Sequence, residues 1–108
     1  MTGLISVYIT APDAAAAEGL GRALVEERLA ACANVLPGAV SLYRWEGAVQ
    51  REQEAVLLLK TRAELFEALA ARARALHTSQ LPCVVAWPIV AASADYAAWV
   101  RAQTAGGS

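Results

Sequence analysis

An α+β fold built in the order βαββαβα is predicted by three features of this 108-residue sequence. Two stretches carry apolar residues three or four positions apart, the period of an amphipathic helix. Between them lie two long strand-like runs joined by a Glu46-Gly47 turn, which reads as a long β2–β3 hairpin. One further strand-like run precedes the first helix and another follows the second. With right-handed βαβ crossovers, this order places both helices on one face of a four-stranded antiparallel sheet: a ferredoxin-like sandwich with an extra C-terminal helix. The length is that of a single domain, residues 1–108, with 104–108 read as a flexible tail.

Leu4 to Ile9 alternates Ile5, Val7 and Ile9 with Ser6 and Tyr8, as a strand does. Pro12 suits a first helical turn, and Thr10 or Asp13 can cap the helix expected to run to about Ala31. Its inner face carries Ala17, Leu20 and Leu24. Cys32 to Trp45 is strand-like, and Pro37-Gly38 within it fits a bulge on an edge strand. Val49 to Lys60 is the returning strand, polar near the turn and apolar from Ala55 to Leu59. Thr61-Arg62-Ala63-Glu64 has the form of a capping box opening a second helix, which ends near Leu76 with Phe66, Leu69, Ala73 and Leu76 inward. Leu81 to Val90 contains Pro82 and Pro88, so it is placed at a sheet edge. Ser93 can cap a last helix bearing Tyr96, Trp99 and Val100.

Composition limits the function classes. A 57% hydrophobic, 18% charged chain folds, and a net charge of −1 with no basic stretch argues against a nucleic-acid partner. The longest charge-free run, Thr78 to Ala94, holds two prolines and is too short to span a bilayer, so no membrane association is expected. The amino terminus shows no basic leader, and a cytoplasmic location with Cys32 and Cys83 as free thiols is expected.

Two helices cover one sheet face, yet Val56–Leu59 and Val84–Ile89 are apolar on both sides. At roughly 25 cal/mol per Å² of apolar surface, leaving those side chains wet forgoes several kcal/mol, so a homo-oligomer packed through the sheet is expected.

No Walker loop, dinucleotide fingerprint, nucleophile elbow, HExxH pair or CxxC is present, and no enzyme class is supported. His77, the single histidine, closes a helix, where it can serve as a cation on the helix dipole or as a metal ligand. Cys32 and Cys83 open apolar strands on opposite edges, either as buried structural thiols or, across subunits with His77, as a soft-metal site. Glu52 and Glu54 share a side of the hairpin with Lys60, as a solvated edge, an intersubunit salt bridge or an acid–base pair. Trp45 at the hairpin tip is expected to rest on another subunit or on a ligand.

Thr10-Ala-Pro-Asp13, Leu29-Ala-Ala-Cys32-Ala-Asn34, Ser41-Leu-Tyr43-Arg-Trp45-Glu-Gly47, Glu54 with Leu57-Leu-Leu-Lys60-Thr61, Leu76-His77 and Tyr96-Ala-Ala-Trp99 together resemble one family. In order and spacing, over nearly the whole chain, they are similar to the CutA divalent-cation tolerance proteins. The resemblance implies a trimer of ferredoxin-like subunits, PII-like in assembly, that is non-catalytic, responds to metal ions and binds copper. It implies copper or another divalent cation as ligand, no organic cofactor, and the chain's own copies as partners. Of the family's copper-ligand positions, the first-strand thiol is Ile9 here and the histidine pair is Leu76-His77, which leaves His77, with Cys83 or Cys32 as substitute donors. The family's His-Pro-Tyr-Glu-x-Pro-Glu run is His77-Thr-Ser-Gln-Leu-Pro82-Cys83. The intersubunit cleft implied by the resemblance draws on Tyr43, Trp45, Glu54, Lys60 and His77. A second reading is a PII-like signalling sensor holding a small anionic metabolite there through Lys60 and arginines.

Overall fold

A computed structural model describes residues 2–106. The elements are β1 (Leu4–Ala11), α1 (Ala14–Glu26), β2 (Cys32–Trp45), β3 (Ala48–Arg62), α2 (Phe66–Leu76), β4 (Val84–Ile89) and α3 (Ala94–Gln103), with a 3-10 turn at Ala63–Leu65 leading into α2. The sheet order is β2-β3-β1-β4, antiparallel throughout, which is the predicted ferredoxin-like arrangement with β2 and β4 at opposite edges.

Strand alternation builds the core. Val7, Ile9 and Ala11 of β1 and Ala55, Leu57 and Leu59 of β3 point toward the helices, where Ala17, Leu20 and Leu24 of α1 and Leu69 and Ala73 of α2 meet them. Gly21 lets α1 lie close to the sheet, because a Cβ there would stand 3.0 Å from Leu57 Cδ1 and 3.1 Å from the Cβ of Ala33. Asp13 caps α1 by accepting from the Ala16 N–H at 2.8 Å. An Asp13→Ala variant is expected to lose about 1 kcal/mol of stability in urea unfolding.

Three expectations about element ends are corrected. α1 stops at Glu26 rather than near Ala31, because Arg28 turns left-handed (φ 63°) and closes a Schellman motif, Arg28 N to Val25 O and Leu29 N to Leu24 O, both 3.0 Å. Thr61-Arg62-Ala63-Glu64 is not a capping box. Thr61 falls on the core face of β3, fully buried, and donates its hydroxyl to Leu29 O at 2.7 Å, while Glu64 pairs with Arg62 at 2.9 Å. The expected tail is held at its start: Thr104 is buried, accepts from Arg62 Nε at 2.9 Å, and Ala105 N donates to Arg28 O at 2.7 Å. Residues 107–108 of that tail lie outside the described residues.

The hairpin matches its local chemistry. Glu46 (φ 51°) and Gly47 (φ 82°) form a two-residue turn with both residues left-handed, the geometry that agrees with strand twist. The register shifts between Leu36 and Ala39, where Gly38 takes φ 79°, as the predicted bulge. β1 stops pairing at Ala11↔Ala55, so 39–45 and 48–54 project beyond the sheet as a two-stranded arm.

α3 packs on the face away from α1 and α2, but only at one end, where Leu4, Ala31, Ala97 and Val100 form a second cluster against Ile89. Beyond it, Leu36, Val85 and Trp87 are each 47% exposed, with the Trp87 ring 5.9 Å from that of Tyr8. The uncovered apolar face expected from the sequence is therefore present on the isolated chain.

Candidate functional site

A groove of about 600 Å³ opens where β1 ends, between the hairpin arm and the loop that follows α2. His77 sits at its base because α2 ends there: its backbone turns extended (ψ 145°) and its N–H closes the helix on Ala73 O. The ring nitrogen Nε2 lies 2.7 Å from Thr10 O, and Nδ1 accepts from the Ser79 N–H at 2.9 Å. A carbonyl can only accept, so these partners assign the proton to Nε2.

The arm supplies the facing wall. Ser41, Tyr43 and Trp45 of β2 share one pleat with Glu52 and Glu54 of β3, as the Ser41↔Glu52 and Tyr43↔Gln50 register requires. The Tyr43 hydroxyl donates to Glu52 Oε1, which together with partial burial and the Glu52 and Glu54 charges holds this phenol above its usual range. Cys83 closes the rim beside Pro82. Burial pushes the Cys83 thiol up, and the Glu54 charge adds to that shift. Cys83 is exposed and precedes β4, so the reading of a buried structural thiol does not hold for it.

The groove thus brings together His77, Cys83, Tyr43, Trp45 and Glu54. Lys60 and Cys32 lie elsewhere. Lys60 shares the pleat of Glu54 but stands six residues along β3, about 20 Å away, where Nζ donates to Asn34 Oδ1 at 3.1 Å. Cys32, paired with Lys60 on the opposite edge from Cys83, places Sγ 3.3 Å from the Tyr96 hydroxyl. Among the described residues no three of His, Cys, Asp and Glu stand close enough to hold a metal ion, and Cys32 and Cys83 are both free thiols.

Tyr96 is the residue whose partnership sequence reasoning missed. Its hydrogen bond to Cys32, then burial, push the phenol up to about 12 from 10.0. Because the folded value is raised, the stabilising contribution is complete below pH 10 and is lost as pH climbs toward 12. Absorbance titration of the phenolate should show this late tyrosine, and Cys32→Ala should bring it back toward 10. Thr10 and Ser79 were also missed as ring-orienting groups, since they act through the backbone and carry no side-chain signature.

The family model "CutA1 divalent ion tolerance protein" matches residues 5–103. The divalent-cation tolerance protein CutA of Thermus thermophilus is 46% identical over 98 residues, covering 91% of this chain and 95% of that protein. Protein CutA, chloroplastic, of Arabidopsis thaliana is 42% identical over 93% of this chain and 55% of its own length. The crystal structure of CutA1 from Oryza sativa superposes with a TM-score of 0.93 at 38% identity, covering 98% of this chain and 99% of that one. A single sheet order, a projecting hairpin and this sustained identity lead to one conclusion: the chain belongs to the CutA1 divalent ion tolerance protein family.

Proposed function

We propose that the protein is a non-catalytic homotrimeric binding protein that responds to divalent metal ions and takes copper in the groove, with His77 as its first donor. The observation that carries this reading is the His77 ring, held at Nε2 by Thr10 O and at Nδ1 by the Ser79 N–H, so that a metal would take the Nδ1 lone pair by displacing the Ser79 amide. A backbone carbonyl on one ring nitrogen is the arrangement that orients ligating imidazoles and fixes their tautomer. Imidazole and thiol together suit copper, and Cys83 lines the same groove.

The donors of one chain do not complete a site. The remaining ligands come from a neighbouring subunit, where Cys32 is the candidate thiol and Lys60 a candidate wall of the shared cleft. The open apolar sheet face supports assembly. Two free thiols suit the reducing cytoplasm, and no helix is long and apolar enough to cross a membrane among the described residues. Within one chain's share of the groove Glu52 and Glu54 oppose Arg44 alone, a balance that suits a cation.

Copper(II) titration against a competing chelator tests this. His77→Ala is expected to weaken copper affinity by about ten-fold or more, and unchanged affinity would show that His77 is not a ligand.

A further inference from the structure

We infer that residues 104–106 form a latch, closed by Arg62, that holds α3 on the sheet, and that α3 opens together with this latch while the helix-side core stays folded. The latch is built from contacts inside one chain. It depends neither on copper nor on what covers the open sheet face.

α3 has little of its own to keep it in place. It is ten residues long, below the roughly 12–15 residues at which an isolated helix is even marginal in water. Its N-cap residue, Ser93, makes no side-chain capping bond. Its buried residues are Ala97 and Val100, which meet Leu4 and Ala31 beside Ile89, and that cluster shares no residue with the helix-side core.

Most polar contacts between α3 and the rest of the chain gather instead at its C-terminal end. Arg62, the last residue of β3, has a side chain only 13% exposed. Its Nε donates to Thr104 Oγ1 at 2.9 Å, its Nη2 to Ala105 O, and its Nη1 to Glu64 at 2.9 Å. Thr104 is buried, and its hydroxyl donates in turn to Val100 O at 3.0 Å, which joins the Arg62 contact to the last turns of α3. Arg28, held left-handed where α1 ends, grips the same segment twice. Its carbonyl accepts from the Ala105 N–H at 2.7 Å, and its Nη2 donates to Ala102 O at 2.8 Å.

These bonds depend on one another, which makes them a latch rather than a row of separate contacts. If residues 104–106 leave, Arg62 loses two of its three acceptors at once. A guanidinium so little exposed, left with Glu64 alone, disfavours any half-open state. Opening takes Ala97 and Val100 from Leu4, Ala31 and Ile89, and leaves the packing of α1 and α2 on β1 and β3 untouched. Such an opening is local, and its free energy lies below that of global unfolding.

Hydrogen exchange read by mass spectrometry on the full chain, without added metal, tests the latch. In the wild type, α3 amides are expected to exchange about ten-fold or more faster than the core amides of β1 and β3. Arg62→Met is expected to speed α3 exchange by a further factor of about ten or more, and Thr104→Val to act in the same direction, with β1 and β3 unchanged in both. Because the two residues share one contact, the double variant should fall short of the product of the single effects. Glu64→Gln, which removes only the exposed partner of Arg62, should change little. Wild-type α3 exchange in both single variants, acceleration spread evenly over α3, β1 and β3, or fully multiplicative effects in the double variant would overturn the proposal. None of these readouts involves copper, so the copper reading stands or falls on its own titration.

Discussion

Trp87→Glu is expected to turn the proposed trimer into a monomer with an intact fold. Trp87 projects from edge strand β4 onto the sheet face that α3 leaves open, and 47% of it is exposed on the isolated chain. Leu36 and Val85, also 47% exposed, lie on the same face, and Tyr8 stacks obliquely on the Trp87 ring. Burying one such large side chain contributes about 1.5–3 kcal/mol, and a symmetric assembly repeats that contribution in each subunit. A carboxylate at the same place would enter an apolar interface without a partner, which costs still more. The fold of the monomer should survive, because the ring makes no contact with the helix-side core. Analytical ultracentrifugation gives the mass, and circular dichroism confirms the fold. A Trp87→Glu protein sedimenting with wild-type mass would place the assembly interface elsewhere.

Leu57→Ala should act in the opposite way, leaving the proposed assembly surface alone and removing about 2–5 kcal/mol of stability. Leu57 is fully buried in β3, pairs with Ile9 in register, and has its Cδ1 against Gly21. The site cannot collapse easily, since the central strand is fixed by neighbours on both sides and α1 already lies at contact distance. Urea unfolding at fixed protein concentration measures the loss, and a change below 1 kcal/mol would show that the core relaxes around the cavity.

The sequence makes the fold readable where local chemistry decides it. Glu46-Gly47 needs two left-handed residues and Pro37-Gly38 needs a bulge, and both signals act within a few positions. Thr61 was misread because the capping-box pattern is also local, whereas strand alternation carried the hydroxyl into the core to meet Leu29 O, 32 residues away. The start of the expected tail is ordered by Arg62 and Arg28, contacts that no terminal composition announces. Extending α1 to Ala31 failed for a related reason, as Arg28 occupies a position where glycine would have marked the end.

The groove was half legible. Tyr43, Trp45 and Glu54 could be placed on one side of the hairpin by alternation, and His77 at the end of its helix. That these meet depends on where β1 stops relative to the arm, which is a register between strands distant in sequence. Lys60 shows the limit of facing arguments: it shares the pleat with Glu54, but six residues of extended chain carry it beyond reach. The orientation of His77 by Thr10 O spans 67 positions and uses no side chain of Thr10.

A native mass spectrum of the purified chain, recorded before and after equimolar copper(II), tests the central claim most directly. The account predicts a trimer that takes up a defined number of copper ions, with that uptake lost in His77→Ala. A monomer, or a trimer whose copper uptake is the same with and without His77, would contradict it.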